Sequence, residues 1–112
     1  MKLIIPPTCQ IGAHTYKVRF NDKLLGAADL RAQTNHKEQL IRLSTGEHAG
    51  VRRSNTMLFE MLLHEILHPI NQLYCGGEVT EQQIEAISAG MAQALLSLGI
   101  EADFSQIPEE EI

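Results

Sequence analysis

His64-Glu65-Ile66-Leu67-His68 holds two imidazoles four residues apart, with a carboxylate directly after the first. At 100° per residue, such rings stand about 40° apart on one side of a helix and one turn apart along it, so both can turn a nitrogen on a single cation. Glu65 lies about 100° round from His64, off that cation but beside a water bound to it. This is the chemistry of metal-assisted hydrolysis. Zn2+ would lower the pKa of its water toward neutrality and polarise a carbonyl, and the carboxylate would take the proton and deliver it to the leaving amine. His64 and His68 are therefore candidate metal ligands, one zinc ion the candidate cofactor and Glu65 the candidate catalytic base.

A plainer reading competes, in which Glu60, His64, His68, Asn71 and Gln72 form the solvated polar face of an amphipathic helix. The motif's place argues against it. It sits in the middle of a strongly periodic segment, and Met57 and Met61 fall on the histidine side, so protein is expected to cover that side in part.

The helix that must carry the motif spans about 55–74. Leu58, Phe59, Leu62, Leu63, Ile66, Leu67, Ile70 and Leu73 recur there at spacings of three and four. A second helix opens on Thr80-Glu81-Gln82-Gln83, a capping-box pattern, and closes at Gly99, with a predicted apolar stripe of Ile84, Ile87, Met91, Leu95 and Leu98. Before residue 52 the pattern alternates instead. His14 to Phe20 puts Tyr16, Val18 and Phe20 on one face of a strand, and Asn21 to Lys23 is turn chemistry. A hairpin is predicted around Thr34 to Lys37, its second strand burying Leu40 or Ile41. The resulting expectation is an α+β fold: a small, roughly three-stranded sheet from the N-terminal half, packed on the motif helix and on a C-terminal glutamate-bearing helix. At 112 residues the chain is one domain, with about 101–112 expected as a loosely held acidic tail.

Composition excludes several classes. A formal charge of −5 with no basic stripe speaks against nucleic acid as a partner. The opening Met-Lys-Leu-Ile-Ile-Pro-Pro is too short an apolar run for a signal peptide, and no later run reaches membrane-spanning length; no membrane partner is expected and a cytoplasmic location is. Cys9 and Cys75 form no CxxC pair and are expected as free thiols.

A zinc peptidase needs a third protein ligand that leaves one position open. Residues 71 and 74 are Asn and Tyr and no histidine follows His68, which excludes the HExxHxxGxxH pattern. The only helical carboxylates downstream are Glu81 and Glu85, on the second helix, with Glu78 in the loop before it.

With HEILH followed by a Gly76-Gly77 loop and Glu-Gln-Gln-Ile-Glu-Ala-Ile-Ser-Ala-Gly, most of the chain resembles the gluzincin clan of zinc metallopeptidases. The likeness is to its minimal, single-domain members of phage type, including the ImmA/IrrE-like proteins. The resemblance implies a metalloendopeptidase acting on a peptide or protein substrate. Ile84 to Gly90 is similar to the clan's glutamate-ligand helix, which points to Glu85 as third ligand. Glu81 is the alternative, nearer the centre of the apolar stripe but at the helix's first position, where a side chain is held less rigidly. The clan's substrates resemble an added β-strand, and the edge it implies here is Gln39 to Thr45, with Leu40, Ile41, Arg42 and Leu43 as the binding strand. The chain departs from the clan in having Ala89 where a supporting aspartate is usual, Pro69 directly after His68, and no evident oxyanion donor; Tyr74 is the candidate, with His14, His36 and His48 behind it. A non-catalytic zinc protein of phage or prophage type, serving regulation or interaction, would share every ligand.

Overall fold

Residues 1–111 are described by a computed structural model. In chain order the elements are β1 (Lys2–Ile4), β2 (Thr8–Ile11), β3 (His14–Phe20), α1 (Asp22–Ala27), β4 (Ala32–Asn35), β5 (Leu40–Leu43), α2 (Asn55–Tyr74), α3 (Glu81–Ser97) and β6 (Glu101–Asp103). The fold is α+β, as expected. The main sheet has four strands rather than three, in the order β2-β3-β5-β4. β2 and β3 form a hairpin, β3 and β5 run parallel, and β4 and β5 form the hairpin expected around Thr34 to Lys37.

The crossover from β3 to β5 explains the layout. Asn21 to Lys23 does not make a tight turn: the Asn21 side chain accepts from the Leu24 N–H at 2.9 Å and caps the short α1, which buries Leu25. The chain then lays down β4 at the edge and returns as β5 between β4 and β3. A strand with neighbours on both sides and cover on both faces is apolar throughout or carries a partnered polar group. β5 does so: Leu40, Ile41 and Leu43 are buried, and so is Arg42. The sequence expectation that Leu40 to Leu43 is the exposed binding edge is therefore overturned; the edge on that side is β4.

α2 spans the residues its periodicity predicts. Leu58, Phe59 and Leu62 enter the core with Val18, Phe20, Ile41 and Leu43 of the sheet. α3 lies mainly against α2, so its buried line is Ile84, Ser88 and Ala92. The predicted stripe holds at Ile84 and partly at Leu95, whereas Ile87, Met91 and Leu98 are exposed, because a helix resting on one neighbour buries a narrower arc than one lying on a sheet.

The C-terminal segment is not a loose tail. β6 pairs in parallel with β1, Phe104 and Ile107 are buried in the core, and the chain then runs beside the end of β3, where the Phe20 N–H donates to Pro108 and the Glu110 N–H to Phe20. Its acidic end meets a buried cation: Arg42 holds Glu110 at 2.6 and 2.9 Å on the sheet face turned away from α2.

Candidate metal centre and its cleft

Ser54 caps α2 by accepting from the Met57 N–H at 3.2 Å, and the helix then carries His64 and His68 on the side away from the leucine arc. The two rings lie 5.1 Å apart, centre to centre. His64, Glu65 and His68 offer ligand atoms within 4.8 Å of one another, and the closeness of the two rings on one side of the helix is what the spacing predicts.

The connection to α3 decides what faces them. Asn71, buried near the end of α2, donates to the Val79 carbonyl at 2.9 Å and accepts from the Val79 N–H at 3.0 Å. Thr80 and Gln83 close a full capping box directly afterwards. These bonds fix the height of the first turn of α3 against α2, and that turn delivers Glu81. Its Oε1 lies 2.8 Å from Nε2 of His64 and its Oε2 3.2 Å from Nε2 of His68. Glu85, preferred from the sequence as third ligand, stands one turn further on, about 6 Å along the helix. It lines the same cleft without an ion pair to either ring. The geometry favours Glu81, because antiparallel helices joined by a short, pinned loop bring the start of the second beside the middle of the first.

Glu65 is buried, 7 % exposed, with Oε2 4.0 Å from Nε2 of His64. Burial pushes its carboxyl above the ordinary range, and the Thr34 hydrogen bond and the two histidines pull back against that rise. Thr34, on β4, approaches Glu65 at 2.8 Å through its hydroxyl, a contact that nothing in the sequence pattern foretold.

The cleft measures about 360 Å³ and runs between β4 and the two helices. Ala32, Met57 and Met61 supply its apolar wall, and Glu60, Glu81 and Glu85 its acidic one. Arg31 is the single cation among its described lining residues, since no Lys or Arg occurs after Arg53. A cleft so poor in positive charge, with two imidazole nitrogens and one carboxylate converging, fits a divalent cation with nitrogen and oxygen ligands such as zinc.

The expected oxyanion donor is not in the cleft. Tyr74 lies at the far end of α2, 68 % exposed, its hydroxyl near Gly12. His14 contacts Gln39 and His36 contacts Tyr16, both on the sheet. Arg31 is a cationic donor that does line the cleft. Cys9 and Cys75 are free thiols, as expected.

Comparison with protein-family models, with curated proteins and with solved structures finds no match. Among the described residues no helix is long and apolar enough to cross a membrane.

Proposed function

We propose that this chain is a zinc metalloendopeptidase of gluzincin type, working in the cytoplasm on an extended peptide segment. The observation that carries the reading is the Glu81 carboxylate spanning Nε2 of both motif histidines, with Glu65 buried beside them. His64, His68 and Glu81 would hold the ion. Zinc bound there would polarise the scissile carbonyl and make an attacking water acidic near neutral pH.

The chain's own residues supply the rest. Glu65 takes the proton of the attacking water and passes it to the leaving amine; its raised affinity for protons suits that exchange. β4 has a hydrogen-bonding edge not used by β5, and Arg31 and Ala32 at its start line the cleft. A substrate strand adding to β4 would run past Glu65 and set its carbonyl between Arg31 and the histidines. Met57 and Met61 then offer an apolar surface to one side chain.

The test compares zinc content and peptide hydrolysis in wild type, Glu65→Gln, Glu81→Ala and Glu85→Ala. The reading expects stoichiometric zinc in wild type and Glu65→Gln, hydrolysis in wild type and loss of it in Glu65→Gln. Glu81→Ala should lose zinc and Glu85→Ala keep it; the reverse would restore Glu85 as ligand. Zinc bound without any hydrolysis, and unaltered function in Glu65→Gln, would instead favour a non-catalytic zinc protein.

A further inference from the structure

Pro69 lies inside α2 and is fully buried, yet the helix runs on to Tyr74. A proline has no N–H, so it cannot donate to the carbonyl four residues earlier, and its ring crowds that carbonyl. In α2 the carbonyl so deprived is that of Glu65, the residue assigned as base. The Thr34 hydroxyl lies 2.9 Å from this same carbonyl oxygen, in addition to its 2.8 Å contact with Oε1 of Glu65. A side chain from the edge strand therefore stands where the helix's own donor is missing.

We propose that Pro69 and Thr34 form one device: the proline frees the Glu65 carbonyl, and the Thr34 hydroxyl, whose single proton is shared between that carbonyl and the Glu65 carboxylate, stands in for the lost N–H and holds Glu65 against β4. Thr34 is thus a positioning residue. An ordinary residue at 69 would satisfy the carbonyl within the helix and leave Thr34 only the carboxylate of Glu65 to hold, so that β4 no longer takes part in holding the backbone of the base. With proline there, the base is tied to the strand on which a substrate would lie, so a shift of β4 carries Glu65 with it. Three features meet at Glu65: a buried proline in mid-helix, its partner carbonyl on Glu65 and a hydroxyl within hydrogen-bond distance of both acceptors of that residue. The catalytic consequence rests on the hydrolase reading; the structural coupling does not.

A double-mutant cycle tests both parts, using Thr34→Val, Pro69→Ala, the pair together and Thr34→Ser, with Tm read on the protein as purified and kcat after addition of zinc. Thr34→Val should lower Tm by several degrees, and by clearly less in the Pro69→Ala background, where the backbone N–H restored by the alanine reclaims the carbonyl. On a peptide that wild type cleaves, Thr34→Val should lower kcat on the order of tenfold, the worth of about one hydrogen bond. KM and zinc content should stay unchanged, and Thr34→Ser should recover most of the rate. Equal Tm losses in both backgrounds would overturn the device, and an unchanged kcat would overturn the positioning role. If wild type cleaves no peptide, the hydrolase reading falls while the Tm cycle still decides the coupling. Should Pro69→Ala not fold, Thr34→Ser decides alone: a serine as damaging as valine overturns the proposal.

Discussion

Two polar clusters lie on opposite faces of β4, and neighbouring residues of that strand touch them. Thr34 reaches Glu65 in the cleft, whereas Gln33 accepts from Nη1 of Arg42 at 2.7 Å on the far side. The far cluster is closed. Arg42 gives Nε and Nη2 to Glu110, Asn21 adds a donor to the same carboxylate at 2.8 Å, and the Arg42 side chain is 8 % exposed. The cleft cluster is open, since the carboxylate that faces its histidines is on a side chain 64 % exposed. The two carboxylates at their centres shift in opposite directions. The Arg42 hydrogen bonds hold Glu110 below the ordinary glutamate range, whereas burial lifts Glu65 above it. Similar residue types thus serve two ends: where every arm is matched the cluster holds the fold, and where ligand atoms converge beside a cleft it can take an ion.

The sharpest way to break this contrast is to disable each cluster and ask what is lost. Glu65→Gln should cut hydrolysis about 10²- to 10⁴-fold, the usual worth of a positioned general base, while leaving zinc content and Tm near wild type. Arg42→Ala should do the opposite. It strands Glu110 against the sheet and should cost about 3 kcal/mol in urea unfolding, with zinc bound per folded molecule unchanged. Loss of zinc in Arg42→Ala without loss of stability would erase the distinction between the clusters.

What the sequence made legible follows the range of the interaction concerned. α2, α3 and β3 are specified by contacts within a few residues, namely the leucine arc, the Thr80 capping box and the alternation from Tyr16 to Phe20. The pair His64 and His68 is legible for the same reason, since one helical turn sets its geometry. Which of Glu81 and Glu85 faces the two rings was not, because it depends on how Asn71 pins the loop to Val79, a relation between two helices that phase within one cannot reveal. The inner position of β5 was foreshadowed by three apolar residues in four but disguised by Arg42, whose partner Glu110 lies 68 residues away. Three acidic residues in a row from Glu109 read locally as a solvated tail, and only the buried guanidinium makes one of them structural. Thr34 carries no signal of its own, although Pro69 did: a proline in mid-helix asks which donor replaces its N–H.

A smaller effect separates the clusters by pH. The Glu110 pKa is lower in the folded chain than in the unfolded one, so its stabilisation is complete above the ordinary value of 4.5 and is lost as pH falls through the depressed folded value. Asp103, pushed down to about 2 by Ser105 and Lys2, acts in the same direction at the β1–β6 pair. Glu110→Gln should therefore cost about 2 kcal/mol at neutral pH and make stability less dependent on pH below 4.5. An acid limb as steep in Glu110→Gln as in wild type would show that the latch does not supply it.

The smallest effect expected is at Gln33, and it asks whether the clusters communicate. Gln33→Ala removes one of the Arg42 contacts but leaves both bonds to Glu110, so the stability loss should be about 0.5–1 kcal/mol. If β4 is a rigid strap between the clusters, freeing its outer face loosens Thr34 and hence Glu65. kcat should then fall about twofold with zinc content unchanged, and the loss should vanish in a Thr34→Val background, where the link is already cut. A twofold loss that persists there would mean that Gln33 acts on the cleft by another route, and no loss at all would mean that Thr34 holds Glu65 whether or not the outer face of β4 is fastened.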